Sequence, residues 1–555
     1  MMIWKGDKML ESGNREMDFL ETGRSPATGK RGAVTTPHYL ATQAGENIIR
    51  RGGHAVEAAI ASNAVLSVVY PHMAGIGGDL FALIKDEGED DVRAMNGSGK
   101  AAGTATIDFF KEKGYDSIPE EGPLSSGTVP GAVAAWEAMH EKYGRLDWAE
   151  LFEEAIYHAE EGFPVTEKLA DFILQEKDKI DQHDKTAAVF IPDGEPLKAK
   201  DILVQSELAE TLKSIAKEGA SAFYEGEVGE KMTASLQDAG GLLSMEDLKN
   251  HESEWQDPIS TTYRDDYEVY QLKPNTQGVA ALMMLNIFNQ FDFNRLRDNT
   301  PQYYHLMAEA AKITFQYRDQ WVTDPDKEHV PVDELLSDEQ TTRMMDHFSE
   351  DKANLQEDLN RLPALKTNRD TTYFAAVDGE GNAVSMIQSV YHEFGSGFMA
   401  DGGFLLQNRG SFFSLDGNHI NRLEPGKKTF HTIMPAMVMK DGRPYLLMGS
   451  MGGEGQPQTQ SALFTRIVDF GYNVQQAIEA PRWLYGRTWG DDSDSLKFEK
   501  RVADSNIEAL ESLGHEVEIL PAYSQTMGHA QAIRIEDGLY EAGADPRGDG
   551  IALSW

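Results

Sequence analysis

Two apolar runs separated by a single turn constrain the fold of this chain more than any other feature of its sequence. Residues 371–377 (TTYFAAV) and residues 383–389 (AVSMIQS) lie on either side of the turn cluster DGEGN at 378–382. Two strand-like runs around a glycine-containing turn predict a β-hairpin. Further strand-like segments follow at residues 404–407, 436–439, 445–448, 517–520, 530–535 and 539–542. The last third of the chain is therefore predicted to be rich in β-strands.

The first two-thirds of the chain carry mainly helical patterns. Residues 38–70 predict two helices separated by Gly52 and Gly53. Further helical patterns cover residues 147–162, 279–288 and 459–470. A glycine cluster at 75–78 predicts a tight, closely packed turn rather than a phosphate-binding loop, because no Gly-Lys-Ser/Thr follows it. Strands packed on strands, with helices outside them, predict a layered α+β architecture.

A charged segment separates these two parts of the chain. Residues 324–368 are rich in charged side chains and are interrupted by prolines, which is typical of an exposed connector. The sequence contains no internal repeat and no low-complexity tract. The hairpin thus begins directly after a segment that we expect to be exposed.

Composition excludes several classes of protein. The 555 residues include no cysteine, which rules out disulfides, thiolate metal sites and cysteine nucleophiles. Lysine and arginine number 51 against 91 acidic residues, and the resulting net charge of −40 disfavours nucleic acid and anionic lipid as partners. No secretory h-region begins the sequence, and no apolar run approaches the ~18 residues of a membrane span. We therefore expect a cytoplasmic protein with no membrane and no nucleic-acid partner.

Common catalytic and metal-binding motifs are absent from the sequence. It has no Gly-x-Ser-x-Gly elbow and no His-Glu-x-x-His motif, and its 15 histidines do not cluster at metal-ligand spacing. We therefore expect neither a metal nor a cofactor. Small polar residues and glycines do cluster in the last third, at residues 369–374, 389–391, 407–410, 428–432 and 449–453. On composition alone, the threonine that begins the first strand reflects β-propensity.

Nine ordered segments carry a family resemblance. They are AGIGGD at 74–79, GTVPGA at 127–132, YGRL at 143–146, EEGFPV at 160–165, PNTQG at 274–278, DTTY at 370–373, GNAVS at 381–385, MGG at 451–453 and ADPR at 544–547. With these segments the chain resembles the γ-glutamyltransferase family of N-terminal-nucleophile hydrolases over most of its length. The resemblance implies a four-layer αββα sandwich and a small-molecule amide as substrate.

The resemblance also implies a proenzyme that cleaves itself between Asp370 and Thr371. A large subunit of residues 1–370 and a small subunit of residues 371–555 would stay together as a heterodimer, with further assembly left open. Cleavage frees the α-amino group of the nucleophile, whose pKa of about 7.7–8.0 leaves it partly neutral at working pH. That amine can serve as the base that a weak threonine hydroxyl needs.

The family's oxyanion hole and one substrate-binding position also map onto this chain. The resemblance places the oxyanion hole at the backbone N–H groups of Gly452 and Gly453. Ser389 keeps the hydroxyl of a second threonine, which in the family hydrogen-bonds the nucleophile, whereas Tyr391 replaces an asparagine.

Other substrate-binding positions depart from the family pattern. Ser98 stands where the family has an arginine for the α-carboxylate of the substrate. Arg409 and Phe412 replace the acceptor pair for the α-ammonium group, and His431 with Thr432 replaces a serine pair. A cation in place of an ammonium acceptor reverses the charge of the site, so the substitution is not conservative.

Arg409 has two interpretations at this point. It can form an ordinary salt bridge with one of the many carboxylates, or it can receive the anionic end of an acyl group through bidentate hydrogen bonds. The second interpretation favours glutaryl-like acyl groups. With Arg409 in this role, the residue pattern of the chain resembles the branch of the family that contains the glutaryl-cephalosporin acylases.

Three functions remain open on the sequence alone. The first is a self-processing threonine amidohydrolase that transfers a γ-glutamyl or glutaryl-like group from an amide to water or an amine. The second is a strict glutathione-type γ-glutamyltransferase with a rebuilt pocket. The third is a catalytically degenerate binding protein, against which the intact Thr371, Gly452 and Gly453 argue.

Overall fold

The computed structural model describes residues 22–354, 370–486 and 493–555. The strands within these residues are β1 (Ala27–Gly29), β2 (Ala33–Thr36), β3 (Asp79–Lys85), β4 (Arg93–Gly97), β5 (Phe163–Pro164), β6 (Ile202–Leu203), β7 (Glu254–Gln256), β8 (Ile259–Tyr263), β9 (Tyr267–Gln271), β10 (Asp370–Val377), β11 (Ala383–Tyr391), β12 (Met399–Ala400), β13 (Phe404–Leu405), β14 (Ala436–Lys440), β15 (Arg443–Ser450), β16 (Trp483–Tyr485), β17 (Leu496–Glu499), β18 (Val517–Leu520), β19 (Ala530–Glu536), β20 (Leu539–Ala544) and β21 (Ile551–Ser554).

The α-helices of the same residues are α1 (Tyr39–Arg50), α2 (Ala55–Val69), α3 (Ile107–Glu112), α4 (Ala132–Tyr143), α5 (Glu153–Glu160), α6 (Glu167–Gln175), α7 (Lys177–Asp181), α8 (Asp184–Phe190), α9 (Ser206–Glu218), α10 (Ser221–Tyr224), α11 (Glu227–Asp238), α12 (Met245–Lys249), α13 (Gly278–Phe288), α14 (Pro301–Trp321), α15 (Val332–Leu335), α16 (Asp338–Met345), α17 (Gln456–Val468), α18 (Val474–Glu479) and α19 (Asp504–Ser512). Among the residues described, no helix is both long and apolar enough to cross a membrane.

Two seven-stranded antiparallel sheets form the centre of the molecule. The first has the strand order β1-β20-β19-β15-β14-β9-β8, and the second has the order β21-β2-β10-β11-β3-β4-β7. The predicted hairpin is confirmed as β10 and β11, in the middle of the second sheet. Strands β2 and β3, from the N-terminal part of the chain, flank it on both sides. Strands from the N-terminal part of the chain and from its last third thus form one sheet.

Three apolar cores establish the order of the layers. Side chains of both sheets meet in a central core that includes Phe81, Tyr373, Met437, Leu447 and Ile533. A second core lies between the outer face of the second sheet and helices such as α1, α2 and α4. A third lies between the first sheet and α13, α14 and α17. This helix–sheet–sheet–helix order confirms the predicted four-layer α+β arrangement.

The glycine cluster before β3 forms the close-packed turn that the sequence predicts. A Cβ atom on Gly77 would lie 2.1 Å from the carbonyl oxygen of Leu405, and one on Gly78 would lie 2.2 Å from that of Ser389. No side chain fits at these distances, so only glycine allows the turn before β3 to pack against β13 at Gly77 and against the end of β11 at Gly78. Asp79, the first residue of β3, is thereby aligned with Ser389.

The charged segment before the hairpin is not an exposed connector over its described part, residues 324–354. This part contains α15 and α16, and it buries side chains such as Met344. Asp324 is buried and accepts a hydrogen bond from the backbone N–H of Lys428 at 2.8 Å. The prediction was wrong here because the many surface charges obscured short amphipathic helices. The rest of the predicted connector, residues 355–368, lies outside the described residues.

Candidate active site

Thr371 lies in an irregular part of the hairpin. Asp370 pairs with Tyr391 and Thr372 pairs with Gln388, so two residues of β11 oppose Thr371 alone. Such a bulge redirects side chains and is common beside active sites. Tyr391 has a φ of 84°, a backbone conformation that residues other than glycine rarely adopt and that is concentrated at functional sites. Thr371 itself is buried.

Polar side chains surround this start of β10. The Ser389 hydroxyl is buried and accepts a hydrogen bond from the backbone N–H of Tyr391 at 2.8 Å. Gln456 Nε2 lies 3.5 Å from Thr371 Oγ1, at the outer limit of a hydrogen bond. The Oε1 atom of Gln456 accepts from the backbone N–H of Met434 at 3.0 Å. Sequence analysis missed Gln456 because it lies 85 residues from Thr371 at the start of a helix and carries no motif of its own.

The predicted oxyanion residues form a loop between β15 and α17. Gly452 has a φ of 123° and Gly453 a φ of 53°, which are conformations that favour glycine. The loop leads into α17, whose first residue, Gln456, reaches Thr371. The side chain of Gln456 therefore connects the glycine loop to the candidate nucleophile, and all three lie in the same region.

Arg409 is a fully buried cation, with an exposed fraction of 0%. None of its three guanidinium nitrogens has a hydrogen-bond partner among the residues that the structure describes. The guanidinium lies 4.1 Å from the ring centroid of Tyr391 and 5.7 Å from that of Phe412. Burial lowers the pKa of Arg409 to about 10, against the opposing effects of Tyr391 and Asp79, so the group stays charged at neutral pH. The salt-bridge interpretation of Arg409 is therefore wrong for the described part of the chain.

His431 lies between the Arg409 charge and a buried carboxylate. Its Nε2 atom is 3.1 Å from Asp79 Oδ2, while Asp79 Oδ1 accepts from Gln407 Nε2 at 3.0 Å. Burial lowers the pKa of His431 to about 4, and the positive charge of Arg409 lowers it as well, although Asp79 acts in the opposite direction. His431 is therefore neutral at physiological pH, and Arg409 is the cation of this cluster.

Ser98 is committed to other protein groups. Its hydroxyl donates to Asn96 Oδ1 at 2.7 Å and accepts from Asn275 Nδ2 at 3.2 Å. Asn275 also donates to the carbonyl oxygen of Thr429, close in sequence to the predicted site residue Thr432. The Ser98 hydroxyl thus belongs to a buried hydrogen-bonded cluster, and its contact with substrate stays a prediction.

Two histidines that are 210 residues apart in the sequence, and so show no metal-ligand spacing there, come together in the structure. His305 Nε2 donates to the carbonyl oxygen of Ser349 at 2.8 Å, which leaves Nδ1 to accept from His515 Nε2, also at 2.8 Å. Glu309 lies within ligand distance of both rings, and the three side chains could geometrically hold a metal ion. However, the Lys312 ammonium bonds to Glu309 Oε1 at 2.8 Å and lies 3.4 Å from His515 Nδ1. A cation already present among these donors disfavours a second one, so the cluster is a hydrogen-bonded network.

The layers and the threonine together define the class of protein. Two facing antiparallel sheets enclosed by helices, with a buried threonine at the start of a central strand, are the arrangement of the N-terminal-nucleophile hydrolases. A family model described as Gamma-glutamyltranspeptidase matches residues 41–555, and the chain belongs to that family.

Individual relatives agree with this assignment. The chain is 44% identical over 527 residues to the glutathione hydrolase-like YwrD proenzyme of Bacillus subtilis, covering 95% of this chain and 98% of the relative. It is 39% identical over 532 residues to the oxamate amidohydrolase proenzyme of Klebsiella pneumoniae, covering 94% and 98%. The crystal structure of cephalosporin acylase from Bacillus halodurans is similar with a TM-score of 0.89 and 35% identity, covering 98% of this chain and 99% of that one. The chain is thus an enzyme of a family of glutathione hydrolases, acylases and amidohydrolases.

Proposed function

We propose that the chain is a proenzyme that cleaves itself between Asp370 and Thr371 and then uses the Thr371 hydroxyl to cleave small amides. The bulge in β11 opposite Thr371 supports this proposal, because bulges redirect side chains and are common beside active sites. The large subunit would be residues 1–370 and the small subunit residues 371–555. Strand β10 pairs with β2 and β11 pairs with β3, so hydrogen-bonded strand pairs would join the two subunits as a heterodimer after the cut.

In the proposed reaction, Thr371 Oγ attacks the carbonyl carbon of the substrate amide. The free α-amino group of Thr371 takes the hydroxyl proton and passes it to the departing amine. The backbone N–H groups of Gly452 and Gly453 stabilise the oxyanion of the tetrahedral intermediate. The resulting ester between Thr371 and the acyl group is then attacked by water, or by an amine, which releases the acid or a new amide.

The proposal for the substrate class rests on Arg409, whose guanidinium has no hydrogen-bond partner in the described part of the chain. A buried charge without a partner is costly unless a ligand supplies the counter-charge. A carboxylate at the far end of the acyl group fits this requirement, because it accepts two parallel hydrogen bonds from a guanidinium. Glutaryl amides meet it without adding an ammonium group, which Arg409 would repel. We therefore propose amides of dicarboxylic acids as substrates, and His431, Thr432, Ser389, Tyr391 and Ser98 as residues that shape the pocket.

One observation favours the glutathione-type alternative. Asp79 Oδ2 is buried, and His431 Nε2 lies 3.1 Å from it without the alignment of a hydrogen bond, so this oxygen can still accept one. An α-ammonium group could be accepted there while Arg409 binds the neighbouring α-carboxylate. The name of the Klebsiella relative adds a shorter candidate, oxamate, whose carboxylate is bonded directly to the amide carbon.

The test has two stages. Intact-mass analysis of the purified wild type should find two chains, with Thr371 as a new N-terminus, and Thr371→Ala should remain one chain without amidase activity. A hydrolysis panel of glutaryl, γ-glutamyl and plain acyl anilides, together with oxamate, should then favour an anionic acyl group without an ammonium. A Thr371→Ala chain that still splits at this bond would refute the nucleophile. A wild type that stays uncleaved and inactive would support the binding-protein alternative.

A further inference from the structure

One buried amide joins two segments of the candidate site. Gln277 lies in the turn before α13 and is fully buried. Its Nε2 atom donates to the carbonyl oxygen of Thr432 at 2.5 Å and to that of Gly453 at 2.9 Å. Both N–H groups of the amide are therefore used, and each holds a segment that lies more than 150 residues away in the sequence.

A buried guanidinium holds that amide in turn. Arg318 Nη1 donates to Gln277 Oε1 at 3.0 Å, and Nη2 donates to Glu454 Oε1 at 3.0 Å. Its Nε atom donates to Asp319 Oδ1 at 2.7 Å, and the guanidinium lies 4.0 Å from the Phe315 ring centroid. Arg318 thus has a fixed geometry, and it contacts the glycine loop both through Gln277 and through the residue that follows Gly453.

We propose that Gln277 and Arg318 are positioning residues that hold the glycine loop, residues 452–453, in the conformation that aims its N–H groups at the reacting oxygen. This inference rests on the proposed function, since it assumes that the loop is the oxyanion hole. We call the pair the loop brace.

The backbone of the loop explains why a brace is needed. Gly452 and Gly453 adopt positive φ values, which glycine reaches readily. Because glycine is also the most flexible residue, the loop needs other contacts to keep one conformation. Donors to a developing charge act best when they are already oriented. Fixing the Gly453 carbonyl through Gln277 and the Glu454 side chain through Arg318 restrains the loop from two sides. The positive guanidinium also polarises the Gln277 amide, which strengthens its bonds to the two carbonyl oxygens.

The brace is tested with two variants and a matched control. Gln277→Glu keeps the size of the side chain but replaces both donors with oxygen, and Arg318→Lys keeps the charge but cannot contact Gln277 and Glu454 together. The control is Arg466→Lys, a buried arginine that pairs with Asp298 at 2.9 Å and does not contact the loop. Each protein is assayed for kcat and KM on the best anilide of the panel, for melting temperature, and for the rate of self-cleavage.

Loss of orientation should lower kcat by ~10- to 100-fold in both brace variants with KM nearly unchanged, since one oxyanion donor is worth ~10²–10³ in kcat. The control should lose melting temperature while keeping its kcat. The Gln277→Glu and Arg318→Lys effects should also be strongly non-additive in the double variant, because they act through the same contacts.

The outcomes separate the brace from the proposed function. If wild type is active and both brace variants keep its kcat, or lose activity only in proportion to melting temperature as the control does, the brace is refuted alone. If wild type neither cleaves itself nor hydrolyses any amide of the panel, the proposed function fails and the brace fails with it. Should Gln277→Glu not fold, Arg318→Lys decides by the same criteria.

Discussion

Two buried arginine sites of this protein differ in whether a protein carboxylate meets the charge. Arg547 donates to both carboxylate oxygens of Glu499 at 2.8 Å and to Asp545 at 3.0 Å, and Arg482 donates to Asp545 at 2.5 Å. Arg409 is equally buried, yet its guanidinium has no hydrogen-bond partner among the described residues and lies over the Tyr391 ring. The first site is a closed network, whereas in the second no carboxylate of the described chain is hydrogen-bonded to the charge.

The difference suggests two roles for buried arginines: one site contributes to the stability of the fold, and the other to the choice of substrate. Asp545 and Arg547 of the closed network belong to the ADPR segment at 544–547, which matches the family pattern, and they pair with Glu499 and Arg482 from outside it. Arg409 stands at a position that departs from the family pattern, and its guanidinium has no hydrogen-bonded carboxylate among the described residues. We infer that residues shared with the family hold this fold together, whereas the departure determines which acyl group is accepted.

The largest expected effect comes from opening the closed network. Arg547→Met removes the cation that Glu499 and Asp545 share, so that these buried carboxylates keep only Arg501 and Arg482 as partners. The loss should lower the free energy of unfolding by ~3 kcal/mol, the lower end of the range for breaking a buried ion pair. Urea denaturation in the Thr371→Ala background, which keeps the chain in one piece, measures this loss. The ratio of glutaryl to γ-glutamyl hydrolysis, measured in the processed Arg547→Met enzyme, should match that of wild type. A changed ratio would contradict the division between the two sites.

Arg409→Gln should change the substrate preference without lowering the stability of the fold. Hydrogen bonds to a charged group contribute about 1.5–3 kcal/mol, so kcat/KM for glutaryl anilide should fall by ~10- to 100-fold. The preference for glutaryl over γ-glutamyl anilide should narrow or reverse, because glutamine carries no charge to repel an ammonium. The free energy of unfolding should stay equal or rise, since a buried unpaired cation has been removed. A wild-type preference for γ-glutamyl anilide that the substitution leaves unchanged would restore the glutathione-type alternative.

The smallest expected effect is electrostatic and needs no substrate. Arg409 lowers the pKa of His431, so Arg409→Gln should raise that pKa from about 4 toward the ordinary histidine value. His529, whose pKa burial also lowers to about 4, responds to Asp545 and Arg482 and serves as the control. Histidine side-chain NMR titration of wild type and variant measures both. An unmoved His431, or an equal shift of His529, would show that Arg409 is not the cation acting on this cluster.

The sequence predicted the fold well where local patterns are strong. The hairpin β10–β11 and the helices α1 and α2 appear where alternation of apolar runs, turns and helical spacing indicated them. The family segments also pointed to Thr371, Gly452 and Gly453. The charged helices α15 and α16 escaped prediction, because surface charge dominates so short an amphipathic pattern.

The supporting groups of the candidate site could not be predicted in this way. Gln277 and Gly453 are 176 residues apart, and Arg318 and Glu454 are 136 apart, so no local spacing relates them. Arg409 was singled out as a departure from the family, but its lack of a partner is a property of the folded environment. A sequence position shows which charge is present, whereas only the structure shows whether that charge is neutralised.

The central place of β10 has a consequence for the lifetime of the proposed mature enzyme. A cut at the start of this strand would leave β2 and β3 on one polypeptide and β10 and β11 on the other, within one hydrogen-bonded sheet. Once denatured, the halves would have to meet by diffusion before the sheet could form again, and renaturation would become slower on dilution. The mature enzyme would then be kinetically stable: its lifetime would depend on a slow rate of unfolding, because the unfolded subunits would not readily return to the folded heterodimer.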